Sequence, residues 1–497
     1  MIEPFETKET LDSTNYISDS IKAKENTFLK LILITLIPTI TTIIIIGIII
    51  IIISNSNFEK DKIEIICVYE VGDNKKPINL LSKDFEKESG ISIYVNNEIV
   101  SYNINHTFKF TGLPKVKFIL NKKVKLKNMF KDVKDLYSVE IPSANKGDFG
   151  LNFSKAFINC QNLRTFKAKI NLENIIDMSY MFSNCKSLRS VIFENIGNST
   201  NSNRNFSHMF ENCVKLTSVN FKKIDTNNVE DMSYMFFKCK LLDLENLINN
   251  FDTSKVTNMS NMFNGCSSLK SLNLINFETS LVTDMSNMFN RCTSLTSLYL
   301  TNFNITSVTN MSNIFSYCTS LTSLNLTNFN TKSVIDMSNM FSHCTSLAGL
   351  DLEDNFDTSL VKDMSNMFSY CSNLKIINLN LVNFNTSLVK NMSHMFDNCK
   401  SATEIDISEF NSSLVNNMSY MFANCNSIKY LNIKSFNINQ VEDMSFMFSN
   451  CINLAELDKN EFFIPNNNTN INGMFDKCID DIIPSWYKNK IKAFINE

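Results

Sequence analysis

Thirteen of the fourteen cysteines in this 497-residue chain recur 25 to 28 residues apart, from Cys160 to Cys478, and each closes a copy of one phrase. Well-kept copies are Met-Ser-Asn-Met-Phe-Asn-Gly-Cys at 259–266, Met-Ser-Asn-Met-Phe-Asn-Arg-Cys at 285–292 and Met-Ser-Asn-Ile-Phe-Ser-Tyr-Cys at 311–318. A period of this length, held over most of a chain, builds a stack of similar coils rather than a closed globule.

After each cysteine comes an apolar series, such as Leu295, Leu298 and Leu300 or Leu321, Leu324 and Leu326. The last two are separated by one residue, the period of a short strand with one buried face. A Thr/Ser/Val stretch follows, then an Asp or Asn before Met-Ser (Asp284, Asn310, Asp336, Asp363) that would cap a short helical turn carrying Met, Met, Phe and Cys inward. Strands of neighbouring coils would stack about 4.8 Å apart, so about fourteen coils make a rod on the order of 65 Å long.

The cysteines Cys266, Cys292, Cys318, Cys344, Cys371, Cys399, Cys425 and Cys451 are read as a structural ladder of buried thiols. A disulfide needs Cβ atoms about 3.8 Å apart with a set dihedral, whereas ladder positions all face the same way. Ligands in a line do not surround a tetrahedral zinc ion, and no metal site is expected.

The stretch 282–300, Val-Thr-Asp-Met-Ser-Asn-Met-Phe-Asn-Arg-Cys-Thr-Ser-Leu-Thr-Ser-Leu-Tyr-Leu, resembles the repeat of BspA-like leucine-rich repeat surface proteins. The likeness runs over about 126–483, although the copies at 128–139, 153–166 and 239–251 depart from the pattern. It implies a secreted or surface-exposed protein of an adhesion-associated family. The expected fold is an α/β repeat: a leucine-rich-repeat solenoid with one parallel strand and one short helical turn per coil.

Residues 31–53 carry no charge and end in an almost pure isoleucine run. At 1.5 Å per residue such a run spans a bilayer core of about 30 Å, and a transmembrane helix serving as an uncleaved signal anchor is expected. Lys22, Lys24 and Lys30 before it, against Lys60 and Lys62 after it, place the N-terminus inside and the repeats outside. The expected domains are a disordered cytoplasmic tail at 1–30, the anchor at 31–53, a β-rich capping module at 54–125, the solenoid at 126–483 and a helical cap at 484–497.

In a leucine-rich horseshoe the residues alternating with buried leucines line the concave face. Those positions hold Asn273, Tyr299, Asn325, Asp351, Asn378, Asp406 and Asn432, with Tyr430 two residues before the last of these. They are the candidate binding residues, with Tyr299 and Tyr430 foremost because exposed aromatics are enriched at interfaces. The same asparagines also suit a purely structural role in stacked coils.

No H-E-x-x-H, P-loop, G-x-G-x-x-G or G-x-S-x-G phrase occurs, and the four histidines are scattered, so neither an enzyme nor a cofactor is expected. A net charge of −3 with dispersed basic residues excludes nucleic acid as a partner. The function expected is membrane-anchored adhesion or recognition of a protein or glycan on another cell or matrix, with self-association also open. The alternatives are a scaffold on an internal membrane with cytosolic repeats and a receptor that signals through partners.

Overall fold

The protein is described from a computed structural model. It describes residues 26, 30, 37–59 and 62–496, apart from short segments at 74, 86–89, 122–123, 143–150, 171–174, 196–203, 223–225, 245–246, 353–354, 379–383, 460–464 and 467. The chain divides into two units, Met1–Lys62 and Ile63–Glu497.

The first unit contains helix α1, Ile37–Glu59. Its described isoleucines, among them Ile40, Ile43, Ile46 and Ile50, are exposed. Positions 31–36 of the expected span lie outside the described residues, as do the side chains of 51–59 and nearly all of the expected tail at 1–30. Among the described residues no helix is long and apolar enough to cross a membrane.

The second unit is a β-solenoid of about eleven turns. The expected count of about fourteen includes three incomplete end copies. The turn near 128–139 lacks its cysteine, the one at 153–166 lacks its methionines, and the one ending at Cys478 is followed by no strand.

Each regular turn contributes one short strand, and from Ser271 onward these strands pair two by two in parallel register. Ser271–Asn273 pairs with Ser297–Tyr299, Ser323–Asn325 with Gly349–Asp351, and Tyr430–Ile433 with Glu456–Lys459. The irregular copy at 239–251 forms no strand among its described residues and closes instead in a 3-10 turn at Ile248–Asn250. At the N-terminal end, Lys62–Tyr69 pairs antiparallel with Leu136–Ile141, the first strand of the repeats. Ile91–Val95 and Glu98–Val100 form a hairpin through Asn96 and Asn97, whose φ of 51° and 66° suit a two-residue loop with both residues left-handed.

The helical turn expected in each coil is not present; the Met-Ser-x-Met-Phe-x-x-Cys phrase folds as consecutive β-turns. The amides of Met288, Asn290 and Cys292 donate to the carbonyls three residues earlier, within their own coil. The alternate amides of Asn287, Phe289 and Arg291 donate to Ser312, Ile314 and Ser316 of the next coil. A helix would keep all of these bonds internal and leave the coils joined by side chains alone.

The backbone adopts this path because two positions per turn are left-handed: Asn287 at φ 57° and Arg291 at φ 60°, and their equivalents along the stack. A left-handed third residue is what a type II turn requires, and Asn tolerates it better than most residues. The acceptor before Met-Ser has the expected capping role, but it caps a turn: Asp284 Oδ1 accepts from the Ser286 amide at 2.8 Å. Asn310, Asp336 and Asp363 do the same. These residues also bridge one another in parallel, a second ladder running along the stack.

The core consists of rows. Fourteen phenylalanines from Phe130 to Phe475 stack ring on ring, with centroids 5.2–6.0 Å apart. Beside them run the buried methionines and the cysteines. Each repeat thiol donates to the carbonyl of the phenylalanine one coil back, as Cys318 does to Phe289 at 3.2 Å and Cys344 to Phe315 at 3.2 Å. Cysteine suits this slot because it fills an apolar row and still offers a weak donor.

A row of buried hydroxyls adds a further tie: Thr253 Oγ1 donates to the Glu278 carbonyl at 2.8 Å and accepts the Glu278 amide at 2.8 Å. At the C-terminal end the helix expected from Trp486 onward is α2, Ser485–Asn496, whose Tyr487 packs edge-on against Phe475 at 5.1 Å.

All fourteen cysteines are unpaired. Burial pushes the Cys292 and Cys344 thiols up to about 12, so they stay protonated and unreactive. Iodoacetamide is therefore expected to label the folded protein slowly and first at Cys478, which is only partly buried, with the ladder reacting only on unfolding. Rapid labelling of Cys292 in the folded state would contradict the ladder.

Candidate functional site

The strand face presents two outward rows. One holds Ser271, Ser297, Ser323, Gly349, Ile376, Glu404 and Tyr430; the other holds Asn273, Tyr299, Asn325, Asp351, Asp406 and Asn432, and the backbone of Asn378 falls at the same strand position. Within each strand pair the expected residues fall in register: Asn273 beside Tyr299, Asn325 beside Asp351, Asn378 beside Asp406. Tyr299 and Tyr430 belong to different rows and lie five strands apart, on the order of 25 Å at strand spacing, so one small ligand does not touch both.

Most of the polar members are occupied locally. Asn273 Oδ1 accepts the Ile275 amide at 3.1 Å, and Asn432 Oδ1 the Lys434 amide at 3.0 Å. Asn325 takes both the amide and the hydroxyl of Thr327, and Asp406 those of Ser408. The row is thus a series of Asx turns that bend the chain out of each strand. This is a structural role, and it spends the side-chain oxygen that a ligand would use.

Tyr299 stands in this row and is unable to make that bond. It is 55% exposed, and its side chain makes no hydrogen bond or ring contact among the described residues. Tyr430 is 46% exposed and donates to Asp458 Oδ2 at 3.3 Å, the oxygen that Lys434 Nζ also reaches at 2.8 Å. Between the two tyrosines lies a third exposed apolar side chain, Ile376 at 61%. Residue type alone hides it, since the adjacent Ile377 is the buried one; counting two positions back from Asn378 identifies it.

Three of the four histidines, His208, His343 and His394, are held in stacks on the turn face. His208 lies between Tyr180 and Tyr234 at 4.2 and 4.5 Å, and its Nδ1 is 2.9 Å from Glu211 Oε2. Burial alone would raise the Glu211 carboxyl, but the His208 hydrogen bond and charge override it and hold it below the ordinary value. His343 lies between Tyr317 and Tyr370 at 4.1 and 4.3 Å, with the Arg291 guanidinium over Tyr317 at 4.5 Å. Neighbouring coils cover the ring faces of these inner residues, so the stacks offer edges to solvent rather than a platform for a sugar. Among the described residues no group of three or more His, Cys, Asp or Glu side chains is placed to hold a metal ion.

Burial lowers the His343 imidazole from its ordinary value of 6.5; the Arg291 charge adds to this and Asp397 opposes it. A depressed histidine favours the neutral form in the fold, so its contribution is present above about pH 6.5 and is lost as the pH falls through and below that value. The wild type is expected to lose more thermal stability than His343→Asn between about pH 7 and pH 5. Equal losses would exclude His343 as a source of acid sensitivity.

No curated protein matches the chain. Among solved structures, a leucine-rich repeat protein from Eubacterium ventriosum ATCC 27560 is 14% identical over 74% of this chain and 94% of its own, with a TM-score of 0.29. The TLR13–ssRNA13 complex is 13% identical over 62% of this chain and 57% of its own, with a TM-score of 0.17. The sequence model of one family matches residues 124–219, 151–268, 204–299, 296–377 and 372–486, nearly the whole run of coils, and the chain belongs to that family, described as "Mycoplasma protein of unknown function, DUF285".

Proposed function

We propose that this chain is a membrane-anchored surface protein whose solenoid recognises a protein or glycan on another cell or in the surrounding matrix. A repeat solenoid of this family suits protein interaction, because stacked strands offer one long, continuous face. The likeness of residues 282–300 to BspA-like surface repeats supports the adhesive role. The uncharged, isoleucine-rich stretch 31–53 supports a single-pass anchor, and Lys22, Lys24 and Lys30 before it support repeats on the outer side. The reading needs no catalytic group and no cofactor.

Tyr299 is the observation that carries the proposal. At that turn the chain gives up an Asx bond that its neighbours at Asn273 and Asn325 keep, and it exposes an aromatic ring with no partner of its own. A local rule broken without structural gain marks a functional position. Replacing Tyr299 by asparagine restores the turn. The variant is expected to keep or raise stability, by about 0.5–1 kcal/mol, while cells displaying it lose adhesion to their target surface. Unchanged adhesion by Tyr299→Asn cells would remove Tyr299 from the binding face.

One observation favours a second reading. Unpaired cysteines throughout the stack suit a reducing compartment, as on a scaffold whose repeats face the cytosol.

A further inference from the structure

One backbone ladder runs along the loops that precede the Met-Ser phrase. The Lys362 amide donates to the Ile335 carbonyl, Lys390 to Lys362 and Asn416 to Lys390, each at 2.9 Å, and Glu442 to Asn416 at 2.8 Å. The ladder therefore holds one residue per coil at strand spacing, about 4.8 Å. The valine before each of these residues (Val361, Val389, Val415, Val441) is buried, and the residue before the valine (Leu360, Leu388, Leu414, Gln440) is exposed again. Two exposed rows thus run side by side along four coils.

In earlier coils the same two positions carry hydroxyls that bond the preceding coil. Ser307 Oγ donates to the Ser280 carbonyl at 2.8 Å and Ser333 Oγ to that of Thr306 at 2.7 Å. Thr283 Oγ1 donates to the Thr257 carbonyl and Thr309 Oγ1 to that of Thr283, both at 3.2 Å. From Leu360 onward these bonds are given up. Three leucines stand exposed on consecutive coils, and Lys362, Lys390 and Glu442, also exposed, form no ion pair among the described residues. A contiguous apolar strip beside unpaired charges, gained at the cost of local bonds, marks a contact surface.

The order of the charged row says what covers it. It reads lysine, lysine, asparagine, glutamate, and it becomes complementary to itself when reversed about the point midway between Lys390 and Asn416. Position 362 then falls opposite 442, and 388 opposite 414. A two-fold axis lying across the stack at that point makes this reversal and leaves each row facing its own copy. Axes centred on Leu360, on Leu388 or between them set lysine against lysine, and one centred on Leu414 keeps only a single leucine contact.

We infer that these rows form an interface between two antiparallel copies of the chain. Leu388 packs against the partner's Leu414 and Lys362 pairs with the partner's Glu442, each contact made twice by symmetry. The adjoining acids Asp363 and Asp443 are engaged in their own turns, accepting the Ser365 and Ser445 amides at 2.8 Å. Four coils cover about 20 Å at strand spacing, a small contact, so pairing is weak and concentration-dependent. The rows are separate from the strand residues, and the inference does not depend on the role of Tyr299.

The test is sedimentation velocity of the full chain in detergent over a wide concentration range. Lys362→Glu and Glu442→Lys each bring like charges together and are expected to weaken dimerisation about tenfold. An equimolar mixture of the two variants is expected to restore it, because every charged contact in the mixed pair is again lysine against glutamate. Leu388→Ser is expected to weaken it as well, and all these positions are exposed, so the fold is kept. A chain that stays monomeric at every concentration would overturn the inference. So would self-association indifferent to both charge reversals, as pairing through α1 would give, or a mixture that associates no more tightly than either variant alone.

Discussion

Replacing Phe315 by alanine is expected to destabilise the solenoid by about 3–5 kcal/mol, the largest effect of any single change considered. The ring is fully buried and sits 5.8 Å from both Phe289 and Phe341, so truncation removes two stacking neighbours and opens a cavity within the row. In a solenoid each turn is held only by the turns on either side. The damage is therefore expected to weaken the coupling between the coils before and after Phe315 and to broaden the denaturant transition. A sharp transition shifted by less than about 1 kcal/mol would show that the row is not the continuous core described.

Asn313→Val is expected to cost about 2 kcal/mol or more, whereas Asn313→Gly leaves stability unchanged or slightly raised. Asn313 holds a φ of 58°, and its amide donates to the Ser338 carbonyl at 2.9 Å, so the backbone is unable to relax without losing the inter-coil bond. A β-branched residue is strongly disfavoured in that conformation, while glycine adopts it freely. Chemical denaturation of the two variants measures the difference. Tolerance of valine would contradict the turn geometry and favour the helical alternative.

These two positions also show what the sequence made legible. The cysteine period, the Leu-x-Leu strand and the inward set of Met285, Met288, Phe289 and Cys292 were readable because burial leaves a regular apolar pattern. The same spacing fits one stripe of a helix, so the pattern alone did not separate helix from turns. The distinguishing signal was asparagine recurring in the left-handed slot at Asn261, Asn287, Asn313, Asn339 and Asn366. It was obscured because Tyr180, His208 and Tyr420 occupy the same slot, held there by stacking with their neighbours.

On the strand face the alternation placed Asn273, Tyr299 and Asn325 correctly as outward residues, since the period of a strand is two. It did not show that the asparagines turn back to bond their own backbone, because a side chain's choice between solvent and a nearby amide depends on the turn that follows.

The most direct measurement is protease accessibility of residues 126–483 on intact, unpermeabilised cells, with permeabilised cells as the reference. The account predicts cleavage of the repeats in both. Protection on intact cells, with cleavage only after permeabilisation, would contradict display outside the cell and leave the cytosol-facing scaffold as the better reading.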